Sequence, residues 1–373
     1  MSKKLVYIAN IRLPTEKAHG IQIMKMCEAF TGQSLEVELL VPWRRNDLRR
    51  GPLDFYNIKK AFQITWIPCL DLVNFKFARI GFIISTLNFL IFSRLYLFFK
   101  TYDILYTREQ LTGLFFRNFI LELHVLPKKL SGIYRYLIYR ADRWVVLTNL
   151  TKVKLLEVGF SSDKILALPD AVDMKEFDID ISRDEARKKL GFPIDKKIIL
   201  YTGSFFLYNW KGGDLLLEAA DFLNDDYLFV LVGGHPWELD KIRKSGLTKN
   251  CALIPYVGHN LIPYYLKVAD ILVLPNRSGD KASELYTSPL KLFEYMASQR
   301  PIISSNLPSL REIVGENEVL FFKPNDPHDL AGAIKYLSND LTLQRSLAYN
   351  AYHKVKDYTW DKRAKSILHT YNQ

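Results

Sequence analysis

The chain has 373 residues, 49% of them hydrophobic and 24% charged, with a formal net charge of +11. That length exceeds what one core usually serves, so two domains are expected, and the composition excludes a disordered or low-complexity chain. Residues 1–175 carry 26 Lys and Arg against 15 Asp and Glu, whereas the remainder holds 25 of each. The whole excess lies in the N-terminal half, and a one-sided basic surface suits an anionic partner.

In chain order, "KLVYIAN" reads as a first strand and turns polar too soon for a signal peptide. A loop leads to a helix over about residues 21–30, with Gly20 at the junction. Glycine there lets backbone approach a ligand, and a helix N-terminus favours an anion. Further strands are predicted at "LEVELLVP", "FQITWIP", "DILYTR", "FILELHV", "RWVVLT" and "ILALP", with helical stretches near 74–99, 110–118, 130–140 and 149–158. Such alternation implies a parallel sheet covered on both faces. The basic residues cluster at Arg44-Arg45, Arg49-Arg50, Lys59-Lys60 and Lys128-Lys129. Between Arg79 and Arg94 stand 14 uncharged residues, fewer than the ~20 that span a bilayer. They are expected to form a buried helix, or an amphipathic one lying on a membrane. In "LELHVLP", Glu122 and His124 share one face of a strand end by the period of two.

The polar stretch 174–195 is expected to be a connection, after which the pattern restarts. Strands are predicted at "KKIILYTGS", "YLFVLVGG", "CALIPYVG", "DILVLPN", "RPIISSN" and "EVLFFKP", separated by helices. Lys211 precedes Gly212-Gly213 where a strand passes into a helix, a setting suited to a phosphate. In "YTSPLKLFEYMASQRP", Thr287 and Ser288 can cap a helix, Pro289 suits its first turn, and Glu294 stands at the edge of an apolar arc. The bland reading of Glu294 is a surface pair with Lys291. A last helix, from about residue 360, has no strand after it. Two doubly wound domains make a cleft, and ligands of open α/β sheets bind at the carboxyl ends of strands.

Several chemistries find no support. No GxGxxG follows the first strand and no P-loop is present, against a dinucleotide dehydrogenase or an ATPase. Cys27, Cys69 and Cys251 are scattered, against a zinc site or a disulfide framework and in keeping with a reduced, cytoplasmic compartment. No Asp-x-Asp pair stands at a strand end, so no metal is expected, and no basic-helix or stacking motif supports nucleic-acid binding.

The ordered set "KAHGIQIMKMCEAF", "ELHVLP", "LPDAVDMKEFD", "YTGS…WKGGDLLLEAA", "VLVGG", "ADILVLPN" and "SPLKLFEYMASQRPII" resembles family 4 glycosyltransferases over nearly the whole chain. The resemblance implies the GT-B fold: two Rossmann-like, doubly wound α/β domains facing a central cleft. Residues 1–180 would hold the acceptor, 181–355 the nucleotide sugar, and 356–373 would be a helix returning to the N-terminal domain. It implies retaining, metal-independent transfer of a hexose-type sugar, with a UDP- or GDP-sugar as substrate and no cofactor. By the same resemblance His124 lies near the transferred sugar, Gly20 against the donor pyrophosphate, Lys211 on the diphosphate, and Glu294 on the ribose hydroxyls. The backbone around Ser288 to Leu290 would offer amides to the diphosphate, with Pro289, which has no N–H, setting the turn between them.

The chain departs from the family pattern where the first signature glutamate belongs, at Tyr286; Glu284 stands two positions earlier. Ser204 replaces a frequent arginine, so Arg277 or Lys281 would be needed beside Lys211. The expected acceptor is a lipid-linked or envelope glycan at the cytoplasmic membrane face, with the basic half against anionic lipid. Two other readings stand beside it: a nucleotide-sugar 2-epimerase of the same fold, and a degenerate relative that binds a nucleotide sugar or glycan without transferring it.

Overall fold

The computed structural model describes residues 2–72, 78–127, 132–205, 209–244 and 250–371; Lys128-Lys129 lie outside them. The chain forms two compact units, Met1–Leu168 with Trp360–Gln373, and Pro169–Thr359.

The first unit is built on a seven-stranded parallel sheet. Its strands are β1 (Lys4–Ile8), β2 (Glu36–Pro42), β3 (Gln63–Ile67), β4 (Ile104–Thr107), β5 (Ile120–Leu123), β6 (Arg143–Val146) and β7 (Ile165–Ala167). They lie in the order β3-β2-β1-β4-β5-β6-β7. Leu5, Val6, Tyr7 and Ile8 are wholly buried, because a central parallel strand is covered on both faces. Helix α1 (Ala18–Gly32) covers it with Ile23, Met24, Met26, Cys27 and Phe30. The C-terminal helix Trp360–Tyr371 belongs to this unit and packs on α1.

Helix α2 (Ala78–Phe98) has 21 residues, longer than the uncharged run suggests because Arg79 and Arg94 are accommodated within it. Its pattern is inverted. Gly81, Ser85, Thr86 and Ser93 face inward with Phe89, Leu90 and Leu97, while Ile80, Phe82, Ile83, Ile84, Ile91, Phe92, Leu95 and Phe98 are exposed. The inward hydroxyls are satisfied: Asn10 donates to Thr86 at 2.7 Å, and Ser93 donates to the Phe89 carbonyl at 2.8 Å.

The second unit carries a six-stranded parallel sheet of β8 (Lys197–Thr202), β9 (Tyr227–Gly234), β10 (Cys251–Pro255), β11 (Ile271–Leu274), β12 (Ile302–Ser305) and β13 (Leu320–Phe322), ordered β10-β9-β8-β11-β12-β13. It begins at Pro169, earlier than residue 181. The stretch 174–195 is integral to this unit. Ser182 and Glu185 form a capping box for the helix Arg183–Leu190, and Gly191 ends it at φ 72°. Arg187, charged yet fully buried, donates to Asp270 at 2.6 Å and to three carbonyls. The unit also keeps Asp357–Thr359, since the Val172 amide donates to the Tyr358 carbonyl at 3.0 Å.

Candidate active site

In the first unit, polar side chains gather at the carboxyl ends of three adjacent strands, β1, β4 and β5. Glu122, at 1% exposure, is the hub. Its Oε1 accepts from Gln22 at 2.7 Å, from Arg363 at 3.0 Å and from His124 Nε2 at 2.7 Å, and its Oε2 accepts from the Tyr106 hydroxyl. Arg108 donates to Gln22 at 2.7 Å. Burial opposes the Glu122 charge, but Arg363, His124 and Arg108 outweigh it and hold the carboxyl well below its ordinary range. Burial and the Arg108 charge push His124 down to about 4, with Glu122 opposing. The imidazole is therefore neutral at pH 7. Its Nε2–H donates to Glu122, a tautomer assigned from the hydrogen-bond network, which leaves Nδ1 as an acceptor. His19 is pushed down to about 4 by burial and by Arg108, Lys17 and His124. Burial raises Glu109 to about 7, while Arg108 and the Asn10 backbone N–H oppose the rise.

Gly20 sits within α1, and a Cβ there would lie 2.3 Å from the Tyr56 hydroxyl and 2.6 Å from Thr15. Its amide donates to the Lys17 carbonyl at 2.9 Å. The glycine is thus accounted for by packing within the unit.

In the second unit, β8 runs into Gly203, Ser204 and the turn that carries Lys211. Gly212 is the residue that only glycine can be: φ is +68° and a Cβ would stand 1.8 Å from the Pro275 carbonyl oxygen. Helix α3 (Gly213–Ala220) starts immediately after it. Lys211 donates to Ser204 Oγ at 3.1 Å, and burial lowers its pKa to about 8 against the attraction of Glu238. Glu238, fully buried, accepts the Phe205 amide at 3.0 Å and the His235 amide at 2.8 Å, fixing two strand-end turns.

Helix α4 (Leu290–Ala297) begins one residue later than the position of Pro289 suggests. Pro289 is its N-cap, no side chain caps it, and Ser288 Oγ instead accepts the Asp170 amide at 2.8 Å. The open first turn leaves amides available to an anion. Glu294, 8% exposed, accepts from His259 Nε2 at 2.8 Å, and His259 stacks edge-on against Phe177.

Lys291 makes no ion pair with Glu294. Among the described residues its buried Nζ finds no hydrogen-bond partner; it lies 4.0 Å from the Tyr201 ring centroid, and a Cβ on Gly203 would meet it at 3.2 Å. Burial, and next the charge of Lys211, drive its pKa well below the ordinary lysine value. Two amines and an uncapped helix start thus converge where β8 ends, a set-up that can hold a diphosphate.

The alternatives for a second cation fare differently. Arg277 is bound to Asp214 at 2.9 Å and to Glu218 at 3.0 Å, so its charge is already neutralised. Lys281 is exposed, at the head of a wide turn Ala282–Tyr286. Glu284 Oε1 accepts the Gly279 amide at 2.8 Å, and Tyr286 is 6% exposed. Sequence reasoning passed over Lys291, Glu238, His259, Arg108, Glu109, His19 and Arg363. Lys291 alone left a usable signal: a lysine in a first helical turn opposes the helix dipole.

Residues 182–354 match the family model described as glycosyl transferases group 1. The group 1 match covers the Lys211, Lys291 and Glu294 site. Among curated relatives, the chain is similar to a protein named for a teichuronic acid biosynthesis glycosyltransferase, TuaC, of Bacillus subtilis. The two are 28% identical over 57% of this chain and 51% of that one. It is also 24% identical to a D-inositol 3-phosphate glycosyltransferase of Kineococcus radiotolerans, over 62% and 57% of the two chains. The matched part thus spans little more than half the length of these relatives. Solved structures share the fold from end to end. Sucrose-phosphate synthase of Thermosynechococcus elongatus superposes at TM-score 0.78 with 18% identity, covering 100% of this chain and 98% of that one. HepE of Anabaena, solved with UDP, gives 0.76 with 14% identity and 99% coverage of both. The fold is GT-B.

Proposed function

We propose that the chain is a retaining, family 4 glycosyltransferase that moves a hexose-type sugar from a UDP- or GDP-sugar to a hydroxyl of an envelope-glycan or lipid-linked acceptor. The observation that carries this reading is the pair of amines, Lys211 and Lys291, beside Gly203 and the open start of α4. As the diphosphate leaves it gains negative charge, and preorganised cations and amides lower the barrier by stabilising that charge. Lys291 supplies the second positive charge that Ser204 does not. The backbone N–H groups of Ser288 and Leu290 face the diphosphate, and Glu294, oriented by His259, accepts from the ribose hydroxyls.

In the first unit, His124 offers Nδ1 to a sugar hydroxyl and acts as a hydrogen-bond acceptor. The acceptor hydroxyl attacks on the face that the diphosphate leaves; as the sugar–phosphate C–O bond breaks, its proton passes to the departing phosphate oxygen, which gives retention. No metal is invoked, because the two amines and the helix start already carry the charge; abolition of turnover by EDTA and its restoration by Mg2+ would contradict this. The relative named for teichuronic acid biosynthesis supports an envelope glycan as acceptor.

The same reading places the protein peripherally on the inner face of the membrane. The outward apolar face of α2, with Arg79 and Arg94 on the same helix, supports it. Flotation with anionic and with neutral liposomes tests this part: capture by anionic vesicles is expected, and negligible binding to both removes it. The donor is tested by a thermal-shift panel of UDP-, GDP- and ADP-sugars, since a ligand of the native state raises the midpoint. A shift with a UDP- or GDP-sugar, followed by turnover that requires an acceptor, is expected. Turnover without any acceptor favours the 2-epimerase, and no shift with any of them overturns the proposal.

A further inference from the structure

A cavity of about 430 Å³ opens in the first unit at the carboxyl ends of β1, β2 and β3, with Trp43, Arg44, Asn46, Arg49, Arg50 and Trp66 in its wall. Small-molecule sites commonly span about 300–1,000 Å³. We propose that it is a subsite for an acidic sugar of the acceptor, a pyranose bearing a carboxylate or a phosphate; this rests on the transferase reading above.

Three observations carry it. None of the residues lining the cavity is Asp or Glu, while every polar side chain there brings N–H donors. Among the described residues, neither Arg49 nor Arg50 has an acidic partner, and both are exposed. Arg44 is different. At 8% exposure it donates to Asn10 Oδ1 at 2.7 Å, yet its Nε makes no hydrogen bond, and the neighbouring acid, Asp71, stands 3.9 Å from it. Asp71 balances part of the Arg44 charge, so the anion contacts of the pocket fall to Arg49 and Arg50.

The second component is apolar. Trp43 is 70% exposed and Trp66 40%, and their strand ends are tied by the Trp43 amide donating to the Ile67 carbonyl at 2.7 Å. Two indoles at the rim of a polar pocket offer flat faces for the C–H side of a sugar ring. Arg44 also ties the pocket to the residues just past β1, because it binds Asn10. A sugar held here therefore lies within the same unit as His124.

The test is calorimetric titration of the whole protein with an oligoglucuronate, with its carboxyl-reduced neutral counterpart of the same linkage and length, and with glucose 6-phosphate, glucose and inorganic phosphate. The acidic sugar is expected to bind at least about tenfold more tightly than its neutral partner. Arg49→Ala/Arg50→Ala should remove that preference, and Trp66→Ala should weaken both ligands. An advantage for glucose 6-phosphate over glucose, without one for the glucuronate, assigns the anion as phosphate and still supports the subsite. No advantage for either charged sugar over its neutral partner, a preference that survives Arg49→Ala/Arg50→Ala, or inorganic phosphate binding as tightly as the charged sugar would overturn it. The arginines are exposed, so their loss should leave the melting midpoint unchanged. Failure of the transferase reading shows separately, as absence of nucleotide-sugar binding in wild type and variants alike.

Discussion

Lys291 is a buried amine with no hydrogen-bond partner among the described residues and a second amine, Lys211, for company. Such a group is costly in the free protein and is repaid only when an anion arrives. Lys291→Met should therefore leave the melting midpoint equal or higher, while nucleotide-sugar affinity falls at least about tenfold. A fall in both would mean that the lysine serves stability instead. The pH dependence has a definite sign. Lys211 titrates at about 8 in the free protein, so donor binding should weaken as pH rises through 8, and binding near pH 8 should take up protons. Calorimetry in two buffers of different ionisation enthalpy reads that uptake directly; proton release on binding would contradict it. His124 works the opposite way: it is neutral because its pKa is pushed down to about 4. The unfolded chain binds a proton at this residue below about 6.5. Stability should therefore rise with pH between about 4 and 6.5, and His124→Gln should flatten that limb. A resonance assigned to His124 that titrates at 7 or above would refute the neutral assignment.

At the scale of elements, strands were the most legible feature. Runs such as "KIILYT" and "DILVLP" are continuously apolar because a central parallel strand is covered on both faces. Boundaries followed composition less faithfully. The stretch 174–195 is polar, yet Arg187 is drawn inside by Asp270 and three carbonyls, contacts that no local pattern announces. Helix α2 shows the same limit from the other direction. Its sequence is apolar nearly all round, so only the fold reveals that Ser85, Thr86 and Ser93 point inward and Ile83 and Phe92 outward. Ile83→Glu/Phe92→Glu should then change stability by only about 0.5 kcal/mol per site and abolish flotation with anionic vesicles. Phe89→Ala, on the inward face, should cost about 3–5 kcal/mol. Equal costs on the two faces would contradict the orientation. The turn before α3 is a second test: Gly212→Ala meets both a φ of +68° and the Pro275 carbonyl, so it should lower stability and donor affinity together.

For the molecule as a whole, the candidate site was legible where neighbouring residues set the scene, as at Lys211 beside Gly212-Gly213, and illegible wherever partners come from distant sequence. Arg363 and Glu122 are 241 residues apart and meet inside the first unit at 3.0 Å. That pairing gives the terminal helix Trp360–Tyr371 a purpose beyond packing, since Glu122 in turn holds His124. Removing one partner of a buried ion pair strands the other, so Arg363→Ala should cost about 3–5 kcal/mol, read by denaturant unfolding. Arg363→Lys should recover part of that loss. The excess of positive charge in residues 1–175 predicts that vesicle binding weakens as salt rises. The central claim, that a diphosphate is held by Lys211 and Lys291, is tested most directly by calorimetric titration of UDP- and GDP-sugars into wild type, Lys211→Ala and Lys291→Met. Wild type should bind one nucleotide sugar, and each variant should lose at least about tenfold in affinity. Equal affinity in all three proteins, or no binding to wild type, would contradict it.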